Sequence, residues 1–168
     1  MLFRLAKTTD IDNIMRIIGE AQTALRALNI DQWQNGYPAV GDIQKDIDAQ
    51  NGYVLEDETG EIVGYTAVFI DFEPTYDKIF DGAWLSTDRF VVAHRMAVKQ
   101  SEKRKGIAEI LFAEIISIAK NHGITSFKFD THEGNIPMRN LAKKLGFEYC
   151  GIILLNSGDK RLAFEKIL

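Results

Sequence analysis

The chain has little cysteine, little proline and no long apolar run. Among its 168 residues, one is cysteine, Cys150, and three are proline. A single cysteine cannot form an internal disulfide, which excludes a secreted, disulfide-rich fold. No stretch approaches the roughly 18 consecutive apolar residues of a transmembrane helix, and the first residues are too quickly charged for a signal peptide. The sequence therefore predicts a cytoplasmic protein with no membrane partner.

The chain also lacks an excess of basic residues and the common nucleotide-binding motifs. Its 20 Lys and Arg residues stand against 24 Asp and Glu residues, for a net charge of −4. Nucleic-acid binders neutralise phosphates with basic residues, so this balance predicts no nucleic-acid partner. Neither a Walker loop nor G-x-G-x-x-G occurs, which argues against an ATPase or a dehydrogenase. With no linker or internal repeat, residues 1–168 are expected to form a single domain.

Alternating and 3.6-residue patterns predict the element order β-α-α-β-β-β-α-β-α-β-β. That order favours an α+β fold with one mixed, mostly antiparallel sheet of about seven strands flanked by about four helices. Residues 71–88 show no regular pattern. Predicted strands lie at residues 2–7, 53–56, 62–70, 89–98, 126–130, 147–155 and 161–167, and the two last helices at 105–122 and 137–145. The buried stripe of the first helix is predicted as Ile11, Ile14, Ile18, Ala21, Leu25 and Leu28.

One segment, residues 96–108, suggests an anion site. It reads as a strand that ends in a basic turn and continues into a helix, whose first amides favour anions. Gly106 and the small Ala108 would allow close approach of a ligand to the backbone. The turn is rich in cations, namely Lys99, Lys103, Arg104 and Lys105. A solvated basic loop remains the alternative, because charge alone does not define a phosphate site.

Two segments together resemble the GNAT superfamily of acetyl-CoA-dependent N-acetyltransferases. The family pattern Q/R-x-x-G-x-G/A, preceded by a strand ending in Ala-Val, is similar to Ala97-Val98 followed by residues 103–108. Lys103 departs from the usual Gln or Arg. Residues 130–147, with Asn135 in a turn and Gly146-Phe147 at the end, resemble the family's next strand, turn and helix. The resemblance covers nearly the whole chain and implies a GNAT-like fold.

The resemblance also implies where acetyl-CoA, the co-substrate, would bind; no metal is implied. The pyrophosphate would lie on the amides of residues 104–108, and Met96, Ala97 and Val98 would line the pantetheine. Asn135 would hydrogen-bond the same arm, or cap the last helix, or do both. The implied cofactor-binding residues are Met96, Ala97, Val98, Lys103, Arg104, Lys105, Gly106, Ile107, Ala108 and Asn135.

Acetyl transfer to an amine requires a base, a stabilised oxyanion and a proton for the departing thiolate. His94 is the candidate base, because it shares strand parity with Met96 and titrates near neutrality; a hydrogen-bonded strand histidine is the alternative. Many relatives have a tyrosine acid five residues before the closing phenylalanine, and this chain has Ala142 there. Cys150 has no partnered base and is expected to be a buried thiol.

The irregular segment 71–88 is acidic and aromatic, and in GNAT-like proteins such a connection borders the acceptor pocket. Candidate walls of that pocket are Trp33, Tyr37, Tyr76 and Trp84. The expected function is transfer of acetyl to the primary amine of a small, cationic metabolite, by a monomer or homodimer. Two alternatives remain open. One is a protein or peptide N-terminal acetyltransferase, and the other is a non-catalytic acyl-CoA sensor.

Overall fold

The computed structural model describes residues 1–168 and contains the predicted elements in the predicted order. The helices are α1 (Ile11–Ala27), α2 (Val40–Asp48), α3 (Ile107–Asn121) and α4 (Ile136–Lys144). The strands are β1 (Leu2–Leu5), β2 (Gly52–Glu56), β3 (Ile62–Ile70), β4 (Phe90–Val98), β5 (Ser126–Thr131), β6 (Glu148–Leu154) and β7 (Lys160–Ile167). The α+β prediction is confirmed.

All seven strands belong to one sheet, in the order β1-β2-β3-β4-β5-β7-β6. β4 and β5 are parallel, while β1-β2, β2-β3, β5-β7 and β6-β7 are antiparallel. The ladder between β4 and β5 has three residue pairs and ends at Val92 and Lys128. Because β4 continues to Val98, its backbone from Ala93 onward takes no part in that ladder.

Backbone contacts divide the chain into two compact units. The first comprises Met1–Val68 and Ala93–Glu114, and the second comprises Phe69–Val92 and Ile115–Leu168. The division falls within β4 and within α3, so both elements contribute residues to each unit.

The core of the first unit has two parts. Isoleucines of α1 and α2 pack with Tyr65 and Ala97, and the start of α3 packs with Leu55 and Val63. The predicted stripe of α1 is wrong at its end, where Leu28 is exposed, and it omitted Ile17, which is buried. Leu28 lies beyond the last residue of α1, so the helical periodicity no longer governs its direction.

The core of the second unit is rich in aromatic residues. Phe147 meets the rings of Phe127 and Phe129 edge to face, with centroids 5.1 and 5.0 Å apart. The irregular segment 71–88 approaches β6 closely, since a Cβ built at Gly82 would lie 2.0 Å from the Cys150 carbonyl oxygen. Only glycine fits such a backbone approach.

No helix of the chain has both the length and the apolar character needed to cross a bilayer.

Candidate active site

The loop between β4 and α3 leads into an open helix start. The backbone has positive φ at Arg104 (64°) and at Gly106 (85°). The first bond at the start of α3 runs from the Ile110 N–H to the Gly106 carbonyl (3.0 Å). The amides of Ile107 and Ala108 therefore have no partner within the helix. Amides at a helix start, next to a left-handed turn, form a concave site suited to an anion.

Gly106 leaves open space at the start of α3. A Cβ built at this position would meet no atom within 4 Å, so the backbone is accessible from that side. A side chain would occupy the space through which a phosphate could reach the amides. The residues present therefore fit the pyrophosphate of CoA.

Two of the four cations of this loop are paired with glutamates. Lys99 lies 2.5 Å from Glu61, and Lys105 lies 3.1 Å from Glu102. Arg104 is exposed and takes part in no ion pair. The free side-chain charge of the loop is therefore smaller than the sequence suggests, and the amides are its more constant feature for binding an anion.

Lys103, which replaces the usual Gln or Arg of the family, is half-buried. Burial lowers the pKa of its ammonium group, and the nearby Glu20 opposes that effect. The Glu20 carboxylate also accepts a hydrogen bond from the Gln100 N–H at 2.6 Å. This bond attaches the loop to α1, so Glu20 helps to fix the loop conformation.

The backbone of β4 is irregular between His94 and Met96. Arg95 has φ of 53°, in the left-handed region, which departs from regular strand geometry. Equal parity alone therefore does not establish that His94 and Met96 lie on one side of β4. The His94 carbonyl accepts a bond from Thr66 Oγ1 at 3.2 Å, and its side chain is half-buried. Its role as a base stays a prediction.

Beyond the irregularity, neighbouring residues of β4 face different clusters. Met96 and Val98 pack with the cluster that includes the start of α3, and Ala97 packs with the cluster of α1 and α2. Side chains on both faces of this strand end are therefore used for packing. Only its backbone remains to contact a ligand along the strand edge.

Arg95 joins β4 to α2 in a polar cluster that sequence reasoning missed. Its Nε donates to Asp46 at 2.7 Å, its Nη2 donates to the same carboxylate, and its Nη1 donates to the Tyr37 hydroxyl at 2.7 Å. The Tyr65 hydroxyl donates to Asp46 at 2.7 Å. The side chains of Asp46 and Arg95 are only 3% and 12% exposed. Tyr37, a predicted acceptor wall, is therefore held in place by Arg95.

Burial and charge act in opposite directions in this cluster. Burial would lower the pKa of the Arg95 guanidinium, but its bonds to Asp46 and Tyr37 outweigh burial and raise it. Burial raises the pKa of Tyr37, an effect that Arg95 opposes, and burial together with Asp46 raises the pKa of Tyr65 strongly. Arg95 thus stays charged and both tyrosines stay neutral near neutral pH.

Two signals in the sequence could have revealed this cluster. Arg95 is a cation in the middle of an apolar strand, where charged residues need a partner. Asp46 lies three residues after Ile43, on the buried face of its helix.

Trp33, the other predicted wall in the first unit, is half-buried and packs against the α1 cluster.

Two side chains at the start of α4 and just before it accept bonds from the backbone. Asn135 Oδ1 accepts from the Met138 N–H at 3.3 Å, which confirms the capping role. The cap leaves the amide hydrogens of Asn135 for another acceptor, so its predicted second role stays compatible. His132 Nδ1 accepts from the Gly134 N–H at 2.9 Å and thereby stabilises the turn. Ala142 has only a methyl side chain and is completely buried, and a methyl group cannot donate a proton to the thiolate.

Two aromatic residues of segment 71–88, Tyr76 and Trp84, pack in the core of the second unit. Tyr76 is 4% exposed, and its hydroxyl donates to Asp130 at 2.8 Å. Trp84 Nε1 donates to the Tyr76 carbonyl at 2.9 Å, and their rings lie 5.0 Å apart. Tyr76 therefore offers almost no free surface to an acceptor, whereas Trp84 is half-buried.

A buried carboxylate holds the same segment on the sheet. Glu165 of β7 accepts from the Leu85 N–H at 2.5 Å, from Ser86 Oγ at 3.0 Å and from Ser126 Oγ at 2.6 Å. The Lys128 ammonium lies 4.0 Å from this carboxylate. Burial lowers the pKa of Lys128, and Glu165 opposes that effect.

Cys150 behaves as the sequence predicts. The thiol is free and the residue is buried. Burial raises its pKa to about 11. A thiol in this state is neutral near neutral pH, so it is not the activated thiolate of a covalent mechanism.

Comparison with known proteins identifies the family. Residues 19–147 match the model of the acetyltransferase (GNAT) family. A GNAT-family acetyltransferase structure from Streptococcus agalactiae has 35% identity and a TM-score of 0.90, covering 99% of this chain and 95% of that chain. A ribosomal-protein-alanine N-acetyltransferase from Brucella melitensis shares the fold at 23% identity, with full coverage of both chains and a TM-score of 0.70. The search among curated proteins found no match. The chain therefore belongs to the GNAT family of acetyltransferases.

Proposed function

We propose that this acetyltransferase moves acetyl from acetyl-CoA directly to the primary amine of a small, cationic metabolite. Membership in the family supports acetyl transfer with acetyl-CoA as co-substrate. The observation that carries the proposal is the accessible, amide-lined start of α3 at Gly106. Acetyl-CoA supplies an activated thioester, and the chain's own residues bind it and manage the protons.

Backbone groups would make most of the cofactor contacts. The amides of residues 104–108 bind the pyrophosphate, with the exposed side chain of Arg104 beside it. Met96 and Val98 offer backbone groups to the pantetheine, since β4 beyond Val92 takes no part in the β4–β5 ladder. An N–H near Met96 or Ala97 is the proposed donor to the carbonyl oxygen as negative charge develops on it.

Proton transfer would involve His94 and solvent. His94 removes a proton from the acceptor ammonium through water, and the departing thiolate takes a proton from water or from the ammonium product. Ala142 provides no acid, which supports a solvent route for the second proton.

We expect His94→Ala to lower kcat/KM about a hundredfold, because general-base assistance contributes that order of rate enhancement. Acetyl-CoA affinity should change little. The deciding measurement is kcat/KM from about pH 5.5 to 9, where the acidic limb of the parent should disappear in the variant. His122→Ala, at an exposed histidine just after α3, is the matched control and should retain the limb. A limb that persists in His94→Ala assigns the base to another group.

The preference for a cationic acceptor rests on the acidic segment 71–88. Asp77, Asp81 and Asp88 are exposed and take part in no ion pair, whereas Asp71 is paired with Arg89 at 2.7 Å. Unpaired carboxylates attract cations and raise their local concentration.

A CoA-release screen over amines, amino acids and peptides tests this preference. We expect cationic amines to exceed neutral and anionic ones in kcat/KM by about tenfold or more, with the advantage shrinking at high salt. Faster turnover of neutral or anionic acceptors than of every polyamine, arylalkylamine and basic amino acid contradicts the preference. Turnover of peptides alone indicates an N-terminal acetyltransferase, and binding of acetyl-CoA without thiol release indicates a sensor.

A further inference from the structure

Arg161, near the start of β7, is a buried cation without a carboxylate. The residue is 6% exposed, and its one hydrogen bond runs from Nη1 to the carbonyl of the adjacent Lys160 at 2.8 Å. Two comparably buried cations, Arg95 and Lys128, each have a carboxylate within 4.0 Å. Its Nε and Nη2 are not among the buried polar atoms that lack a partner, so they reach solvent and can donate to an anion.

Arg161 lies on β7 next to the cluster that contains Tyr76 and Trp84 of segment 71–88. It pairs across the sheet with Ile153 and shares a face of β7 with Ala163, two residues along the strand. Ile153 and Ala163 pack in one cluster with Tyr76 and, at its border, Trp84. The guanidinium therefore belongs to the sheet face that segment 71–88 covers.

The geometry points to Arg161 as the binding site for a carboxylate of the acceptor, which we propose to be an amino acid carrying a cationic amine. This inference rests on the proposed function, because it assigns a substrate class to the same site. The bond to Lys160 uses Nη1 and leaves Nε and Nη2, one edge of the guanidinium, for a two-point contact with a carboxylate. The exposed Asp77 and Asp81 of the covering segment would attract the ammonium group of the same molecule.

The test compares each basic amino acid with its decarboxylated analogue, L-lysine with cadaverine and L-ornithine with putrescine. In the parent enzyme, kcat/KM should favour the amino acid at least about tenfold, as expected for charge-assisted hydrogen bonds. In Arg161→Met this ratio should fall to about one, and Arg161→Lys should keep an intermediate ratio, since an ammonium lacks the two-point geometry. Lys160→Met removes a neighbouring exposed cation and should leave the ratio unchanged.

Thermal stability separates a binding role from a structural one. Because Arg161 has no carboxylate partner to leave behind, Arg161→Met should unfold at the same temperature as the parent or higher. A lower unfolding temperature together with equal losses for amino acid and diamine would show a structural role and overturn the inference. A ratio near one in the parent would overturn it as well.

Calorimetry keeps this inference distinct from the proposed function. L-lysine should bind the parent in the presence of CoA and bind Arg161→Met at least about tenfold more weakly. If no amine is acetylated but this difference is found, the proposed function fails and the carboxylate site stands. If amines are acetylated and the difference is absent, the carboxylate site fails and the proposed function stands.

Discussion

Replacing Asp46 by alanine should lower the free energy of unfolding by about 3 to 5 kcal/mol, the usual loss when one partner of a buried ion pair is removed. Its carboxylate is almost wholly buried and accepts bonds from Arg95 and Tyr65. Without it, the Arg95 guanidinium remains in the interior with no counter-charge. For a chain of this size we expect the unfolding temperature to fall by about 10 °C.

The matched control for this prediction is Asp48→Ala on the same helix. Asp48 is exposed and accepts one bond, from Gln44 at 2.8 Å, so its loss should cost less than about 0.5 kcal/mol. Arg95→Met combined with Asp46→Ala should recover part of the lost stability, because the uncompensated charge is then removed as well. A loss below about 1 kcal/mol for Asp46→Ala would show that the pair does not stabilise the fold.

Replacing Gly106 by glutamate should weaken acetyl-CoA binding at least about a hundredfold, because apposed like charges cost several kcal/mol. The new side chain would enter the open space beside the amides of α3 and place a carboxylate where the pyrophosphate is proposed to bind. Calorimetric titration with acetyl-CoA is the measurement. The fold should survive, since the added Cβ meets no neighbouring atom and only the positive φ adds strain.

Gly60→Glu is the matched control for that experiment. Gly60 lies in the turn between β2 and β3, has φ of 83° and also has no atom within 4 Å of a built Cβ. Both variants therefore carry similar backbone strain, of about 1 to 2 kcal/mol. Equal acetyl-CoA affinity for the parent and for a folded Gly106→Glu would remove the pyrophosphate from the start of α3.

The element order could be predicted because strong local periodicity runs through most of the chain. The two apolar rows of α3, for example, require a helix there whatever the rest of the fold does. Its predicted start at residue 105 was two residues early. Gly106 has a positive φ, so the helix begins only after it, and the spacing of apolar residues does not indicate the φ value of a single residue.

Local patterns can mark Arg95 and Asp46 as buried polar residues, but they do not show that the two are partners. Asp46 and Arg95 are 49 residues apart in sequence, and only the folded sheet brings them together. The left-handed conformation at Arg95 could not be predicted from the sequence, because glycine and asparagine are the residues that usually adopt it.

The sequence also does not distinguish an aromatic residue that lines a pocket from one that fills the core. Tyr76 was predicted to line the acceptor pocket because it lies in an irregular acidic segment. Its hydroxyl instead bonds Asp130, 54 residues away, and its ring fills the core of the second unit. Arg161 follows Lys160 at the start of β7, and two cations at a strand start do not indicate that one of them is buried without a carboxylate.

The most direct test of acetyl-CoA-dependent amine acetylation measures thiol release and acetylated product in the same reaction. With the purified protein, acetyl-CoA and the best amine of the screen, we expect one free CoA thiol for each N-acetylated amine found by mass spectrometry. Release should require the amine and should be strongly reduced in Gly106→Glu. Thiol release without an acetylated amine, or no release with any amine, would contradict the proposed function.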